Sequence, residues 1–365
     1  MSSNSLNGEV HWQYCIVFGG NVRLKDWPAV SQSGFGACEN LVRGGNKIHD
    51  TAIPDLNLKK LWHDPNRHSL QPDISKMTVP SRNVPHVRAC IFDLDGLLLN
   101  TEDIYSICAN TVLSRYSRPP ISWSLKAQLM GVPGSSNGET FHQWAKLPIS
   151  REQYKAEQQT EQDKMFPMCE ALPGAKQLLE RLSKATTEVD GRKIQVALAS
   201  SSVTSNLKLK TSRREISEMI GLIPEKNRVL SDHDKMKGKR GKPAPDIFLT
   251  ALAVINELLD TSEGKIRPEE CLVFEDSVPG VEAARRAGMR VVWVPHPELC
   301  RHWAARETEV LAGTTGLVKL DGLEKMDPSG KATDGWGEKI GTLEEFEYGK
   351  YGIRLQSSDA LGSKI

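Results

Sequence analysis

The chain has 365 residues, 39% hydrophobic and 25% charged, with a formal net charge of +1. That length holds one large α/β domain with an insertion, or two domains, plus tails. The near-neutral balance excludes a global field steering the protein toward nucleic acid or an anionic membrane, so neither is expected as a partner.

From Met1 to about Pro85 the sequence is rich in Gly, Asn, Ser and Pro, and clusters such as Tyr14–Phe18 settle into no period, so residues 1–85 read as a poorly structured N-terminal extension. The pattern then changes. Ala89-Cys90-Ile91-Phe92 is a short apolar run ending in Asp93-Leu94-Asp95-Gly96, as a buried parallel strand ending in a loop would. Between this run and the next lies too much helix for a single crossover. Ser150-Arg151-Glu152-Gln153 has capping-box form, with Ile149 and Tyr154 placed for a hydrophobic staple. Residues 105–168 are therefore expected to form a helical cap, and the core, 86–104, to resume over 169–325.

After Leu172-Pro173-Gly174 a helix carrying Ala175, Leu178, Leu179 and Leu182 leads to Val196–Ala199. Further runs are Arg228–Ser231, Cys271–Phe274 before Glu275-Asp276-Ser277, and Val291–Val294. Strands alternating with helices imply an α/β fold with a doubly wound, Rossmann-like parallel sheet core carrying an inserted helical cap domain. Ligands bind such sheets beyond the carboxyl ends of the strands, where the polar clusters fall. Gly316–Leu320 reads as a candidate edge strand, and 326–365 as a C-terminal surface tail. The seven cysteines form no CxxC or zinc-spaced cluster and read as reduced thiols. No apolar run reaches bilayer length and the start lacks a signal-peptide pattern, so the cytoplasm, with the nucleus left open, is the expected location. A monomer is expected.

Asp93 and Asp95, one residue apart, leave the strand end on the same side. Phosphoryl transfer uses such a pair: one carboxylate attacks phosphorus, and the other protonates the departing alkoxide and then activates water. Taken alone, an Asp-x-Asp-Gly run is equally a polar loop after a strand. A carboxylate attacking a phosphate dianion meets like-charge repulsion, which Mg²⁺ would offset. Asp276 is the candidate direct ligand, with Glu275 direct or through water; the alternative is that Asp276 caps the following helix. Ser200 and Ser201 offer a hydroxyl and N–H groups to phosphate oxygens, and Lys242, in Gly241-Lys242-Pro243-Ala244-Pro245-Asp246, offers a positioned ammonium. The nearby Lys235, Lys237, Lys239 and Arg240 read as a solvated basic loop, and His142 and Trp144 as packed helix residues.

In this order the segments DLDGLLLNTE, ALASSS, GKPAPDIFL and CLVFEDSVPGVEAARRAGM resemble the four motifs of the haloacid dehalogenase-like superfamily, over about Val87 to Pro295. With Lys210-Thr211-Ser212-Arg213 they look most like the subgroup containing pseudouridine-5′-phosphatase and glycerol-3-phosphate phosphatase-like enzymes. The resemblance implies Asp93 as nucleophile, Asp95 as acid/base and main-chain metal ligand, Ser200 and Lys242 as phosphate binders, and Asp276 as metal ligand. The position after Gly96, commonly Thr in the superfamily, is Leu97. The function this implies is Mg²⁺-dependent hydrolysis of a small phosphorylated metabolite (a sugar, polyol or nucleoside 5′-phosphate) through an aspartyl phosphate. A sugar-phosphate mutase on the same scaffold and a catalytically idle binding module are the alternatives. A dehalogenase is disfavoured because it would not need Asp95 as proton donor.

Overall fold

In the computed structural model residues 85–131, 134–318, 330–331 and 333–356 are described, all within one unit, Thr78–Ile365. The expected N-terminal extension lies outside the described residues except for Pro85. The strands are β1 Ala89–Phe92, β2 Thr186–Thr187, β3 Gln195–Ser200, β4 Arg228–Leu230, β5 Cys271–Glu275, β6 Arg290–Trp293, β7 Gly337–Lys339 and β8 Ile353–Arg354. Six of them form one parallel sheet of order β4-β3-β1-β5-β6-β7, and β2 pairs with β8 in a separate antiparallel ribbon.

The apolar runs form strands because both faces of the sheet are covered, so every residue of β1, β5 and β6 is buried. Register then fixes the site. Phe92 pairs with Leu198 on one side and Phe274 on the other, so β1, β3 and β5 end side by side and present Asp93, Ser200 and Glu275 along one edge. The stacked rings of Phe92 and Phe274, 4.5 Å apart, lie directly beneath.

Helices α1 (Thr101–Arg115), α2 (Trp123–Leu129), α3 (Gly134–Ala145) and α4 (Arg151–Met165) occupy the expected insertion. Ser150 caps α4, its Oγ accepting from the Gln153 N–H at 3.1 Å, and Ile149 packs into the same cluster as Tyr154. That cluster, built on Val112, Leu113, Phe141, Ala145 and Tyr154, gives the insertion a small core of its own. Helix α5 (Ala175–Leu182) buries Ala175, Leu178, Leu179 and Leu182. Then come α6 (Thr204–Lys210), α7 (Arg214–Gly221), α8 (Asp246–Leu258) and α9 (Val278–Arg286).

Two expectations need correction at the C-terminal end. Gly316–Val318 form no strand, and Lys319 and Leu320 lie outside the described residues. The sixth strand is instead Gly337–Lys339, paired with β6, inside the stretch expected to be tail. Leu343, Phe346, Tyr351 and Ile353 are buried in the main core, and Phe346 meets Phe274 edge-on at 4.9 Å. The segment covers one face of the sheet, which is why its scattered aromatic residues are not on the surface. No helix among the described residues is long and apolar enough to cross a membrane.

Candidate active site

The loop after β1 turns back sharply. Asp93 N–H still bonds the Phe274 carbonyl at 3.1 Å, as the last rung of the sheet, and Gly96 then takes φ +80°. A Cβ at Gly96 would run into the Asp276 carboxylate, so glycine is required both by conformation and by contact. Leu97 is buried in the core beneath this turn, which gives an apolar residue at that position a packing role.

Asp93 is 4% exposed and flanked by charge. Lys242 Nζ donates to Asp93 Oδ1 at 2.6 Å and also to Glu275 Oε1, while Asp95 N–H donates to Asp93 Oδ2 at 2.9 Å. Burial raises the Asp93 carboxyl to about 7; Lys242 pulls against the rise, and Glu275 and Asp95 add to it. Burial alone would depress the Lys242 ammonium, but Asp93 and Glu275 hold it well above the usual lysine value.

Asp95 turns toward a different set of donors. Oδ1 accepts from Thr101 Oγ1 at 2.6 Å and from Lys210 Nζ, and Oδ2 accepts from Ser202 Oγ at 2.7 Å and Ser200 Oγ at 3.5 Å. Burial would raise its carboxyl, but the Lys210 charge and these hydrogen bonds outweigh that and hold it below the ordinary value.

Asp276 is 2% exposed, and its Oδ2 is buried with no hydrogen-bond partner. It does not cap α9: Ser277 does, its Oγ accepting from the Gly280 N–H at 3.1 Å. Burial, with Glu275, Glu102 and Asp93 nearby, raises the Asp276 carboxyl well above its usual range. A partnerless buried carboxylate oxygen among other carboxylates is a donor set suited to a hard cation. Among the described residues no three Asp, Glu, His or Cys side chains converge as a ready metal group, so the fit rests on Asp93, Asp276 and main-chain oxygen. Glu275 is engaged within the protein. Lys242 takes its Oε1, and the N–H and Oγ of Ser277 take Oε2 at 2.9 and 3.0 Å, so its carboxylate steadies the lysine and the β5–α9 turn.

Asp93, Asp95, Ser200, Ser201, Lys242 and Asp276 all line one cavity of about 920 Å³. Ser200 is buried, with its Oγ accepting from the Ser202 N–H at 3.1 Å, whereas Ser201 is exposed. His142 faces the cavity, edge-on to Phe141 and Tyr154, and Trp144 packs within the insertion. Sequence reasoning missed Thr101, Ser202 and above all Lys210. Lys210 is 0% exposed and also donates to Tyr105 OH at 3.0 Å and Ser202 Oγ at 2.8 Å. The available signal was its spacing of three from Leu207, which puts both on one buried helix face.

Residues 90–294 match the family described as haloacid dehalogenase-like hydrolase. A Saccharomyces cerevisiae protein named "Probable pseudouridine-5′-phosphatase" is 38% identical over 244 residues, which are 67% of this chain and 96% of the relative. A Drosophila melanogaster protein with that same name is 35% identical over 63% of this chain and 90% of its own length. The (DL)-glycerol-3-phosphatase 1 of Arabidopsis thaliana is 34% identical over 63% of this chain and 70% of its own length. The chain belongs to the haloacid dehalogenase-like hydrolases and is a phosphatase of that family.

Proposed function

We propose that the protein hydrolyses a small phosphorylated metabolite (a sugar, polyol or nucleoside 5′-phosphate) with Asp93 as covalent nucleophile, Asp95 as acid and base, and Mg²⁺ as cofactor. The carrying observation is that two carboxylates two positions apart are held by separate cations: Asp93 by Lys242 at 2.6 Å and Asp95 by Lys210. The roles follow from placement, Asp93 at the strand end against Lys242 and Asp95 one turn further on among hydroxyls and Lys210, while in the metal-free protein burial raises the Asp93 carboxyl and Lys210 lowers that of Asp95. The relatives named for pseudouridine-5′-phosphate and glycerol-3-phosphate support the substrate class.

In this reading Lys242, Ser200 and the N–H groups after β3 hold the phosphoryl oxygens while Asp93 attacks phosphorus and the ester oxygen leaves. Asp95 protonates that oxygen. The proton it gives comes from solvent, to which its side chain keeps 16% exposure, and is taken up against the Lys210 pairing that favours the ionised carboxylate in the free protein. Once deprotonated it takes a proton from the water that attacks the aspartyl phosphate, which releases inorganic phosphate and restores Asp93. Asp93, the Asp95 main chain and Asp276 would hold Mg²⁺, which when bound screens the repulsion between carboxylate and phosphate. The helical insertion acts as a cap that reads the leaving group and limits water.

The test is phosphate release from a panel of sugar, polyol and nucleoside phosphates, with and without Mg²⁺. Metal-dependent release from at least one member is expected, and transfer back to substrate without net release would favour a mutase.

A further inference from the structure

We propose that Glu102 is a further carboxylate of the cation site, acting across solvent from beyond Asp93 and Asp276, and that Lys126 of the insertion holds it there; the proposal rests on the Mg²⁺ reading above. Glu102 stands just ahead of the insertion, in the first turn of α1, and Lys126 lies inside it, on α2. Both line the cavity that holds Asp93.

A Cβ added at Gly96 would run into Asp276 Oδ2 and Glu102 Cγ together, so the two side chains close on the same turn. Asp276 Oδ2 is a buried carboxylate oxygen with no hydrogen-bond partner, and Glu102 is among the charges that act on it. Among the described residues no three acidic, His or Cys side chains converge closely enough to hold a metal directly. Glu102 therefore acts through solvent, where a carboxylate orients the ligands of a cation and adds to the field that favours it.

Lys126 fixes where that carboxylate lies. It is 8% exposed, and its Nζ donates to the Glu102 carbonyl and to Ser106 Oγ, both at 2.6 Å, with Glu102 Oε2 at 3.5 Å. An ammonium engaged in this way by α1 is a positioning group rather than a substrate contact. The same Nζ lies 4.7 Å from the centre of the Trp123 ring, and that ring stacks at 4.5 Å on His296, which belongs to the core beyond β6. His296 Nε2 is in turn 3.7 Å from Asp103 on α1. Contacts thus run unbroken from the core through α2 to Glu102, and the seating of α2 sets the carboxylate's position. The other charges acting on Glu102 are Asp95 and Lys210, which pair with each other and leave Lys126 as its partner.

The experiment titrates Mn²⁺ into the full-length protein without substrate and reads the free ion from its paramagnetic resonance signal. Wild type, Glu102→Gln, Lys126→Met and the double variant are compared, with circular dichroism as the check on folding. Glu102→Gln keeps the shape and should weaken binding about tenfold or more, the usual weight of a group that orients metal ligands. Lys126→Met should weaken it by about threefold or more, although deletion of a positive charge alone would strengthen it. In the double variant the lysine change should weaken binding no further, because it acts through Glu102. Should Lys126→Met not fold, Ser106→Ala, which removes one acceptor of the lysine, takes its place with the same expected direction. Unchanged affinity in folded Glu102→Gln would overturn the proposal and leave Mg²⁺ at Asp93 and Asp276. Tighter or unchanged binding in Lys126→Met, or losses that add in the double variant, would overturn the role given to the lysine. No Mn²⁺ binding by wild type would instead overturn the cation reading itself, and this proposal with it.

Discussion

Lys210 and Asp95 form an ion pair in which the lysine has no solvent exposure at all, its ammonium held over the rings of Phe166 and Tyr105 at 4.6 and 5.0 Å. Burial alone would depress the ammonium, and the Asp95 carboxylate with Tyr105 holds it above the ordinary lysine value. Lys210→Met fills much of the space but leaves Asp95 buried without its cation, a loss on the order of 3–5 kcal/mol for a broken buried pair. Urea unfolding at pH 7 should show that loss, and a change below about 1 kcal/mol would mean that the pair is not structurally important. The sign with pH follows from the depressed Asp95 carboxyl. Its stabilising share is present above the ordinary value of 3.8 and is lost as pH falls through the lower value in the folded protein. The gap between wild type and Lys210→Met should therefore narrow in acid.

Asp93 and Asp276 have the opposite sign. Burial raises both carboxyls, that of Asp93 to about 7, so without metal Asp93 binds more protons in the folded protein than in the unfolded chain between about pH 4 and 7, and Asp276 acts in the same direction. Stability of the metal-free protein contributed by these groups should fall as pH rises through that window. Asp276→Asn removes an unpartnered buried carboxylate and should raise the metal-free Tm at pH 7, by about 2–4 °C per kcal/mol relieved, while sharply increasing the Mg²⁺ needed for turnover. Differential scanning calorimetry with EDTA, paired with a Mg²⁺ titration of activity, checks both halves. A lower metal-free Tm together with an unchanged Mg²⁺ requirement would remove Asp276 from the metal site.

The catalytic edge of the sheet was legible because its strands are buried on both faces. Ala89–Phe92, Cys271–Phe274 and the Val196–Ala199 run are continuous apolar stretches, and just beyond them Asp93, Asp276 and Ser200 line the cavity. The short capping signal at Ser150 was equally readable. Strand β7 was not. Gly337-Glu338-Lys339 is a three-residue edge strand, half-buried and two-thirds charged, with no apolar run to mark it. Lys210 escaped because a lysine in Thr204–Lys210 reads as surface until tertiary packing brings Asp95 and Tyr105 to it. The partners of Glu275 were unreadable for a related reason: that Lys242 and Ser277 hydrogen-bond its oxygens is a fact of the folded loops, not of the motif.

The buried C-terminal segment makes a direct prediction. A chain ending before Gly337 loses β7 and the core side chains Leu343, Phe346, Tyr351 and Ile353. At about 1.5–3 kcal/mol for each buried large apolar side chain, their sum rivals the 5–15 kcal/mol net stability of a typical domain. The truncated protein should be insoluble or unfolded by circular dichroism. A soluble, cooperatively folding truncation would show that the segment is dispensable.

Asp93 is the residue on which the proposed chemistry turns, and the phosphoryl group it should carry can be looked for directly. The protein is mixed with its best substrate and Mg²⁺, quenched in acid during turnover, digested, and mapped by mass spectrometry for a phosphorylated peptide. The account predicts a phosphoryl group on the peptide containing Asp93, absent from Asp93→Asn, which should be folded and without turnover. A phosphoryl group on another residue, or near wild-type turnover by Asp93→Asn, would contradict it.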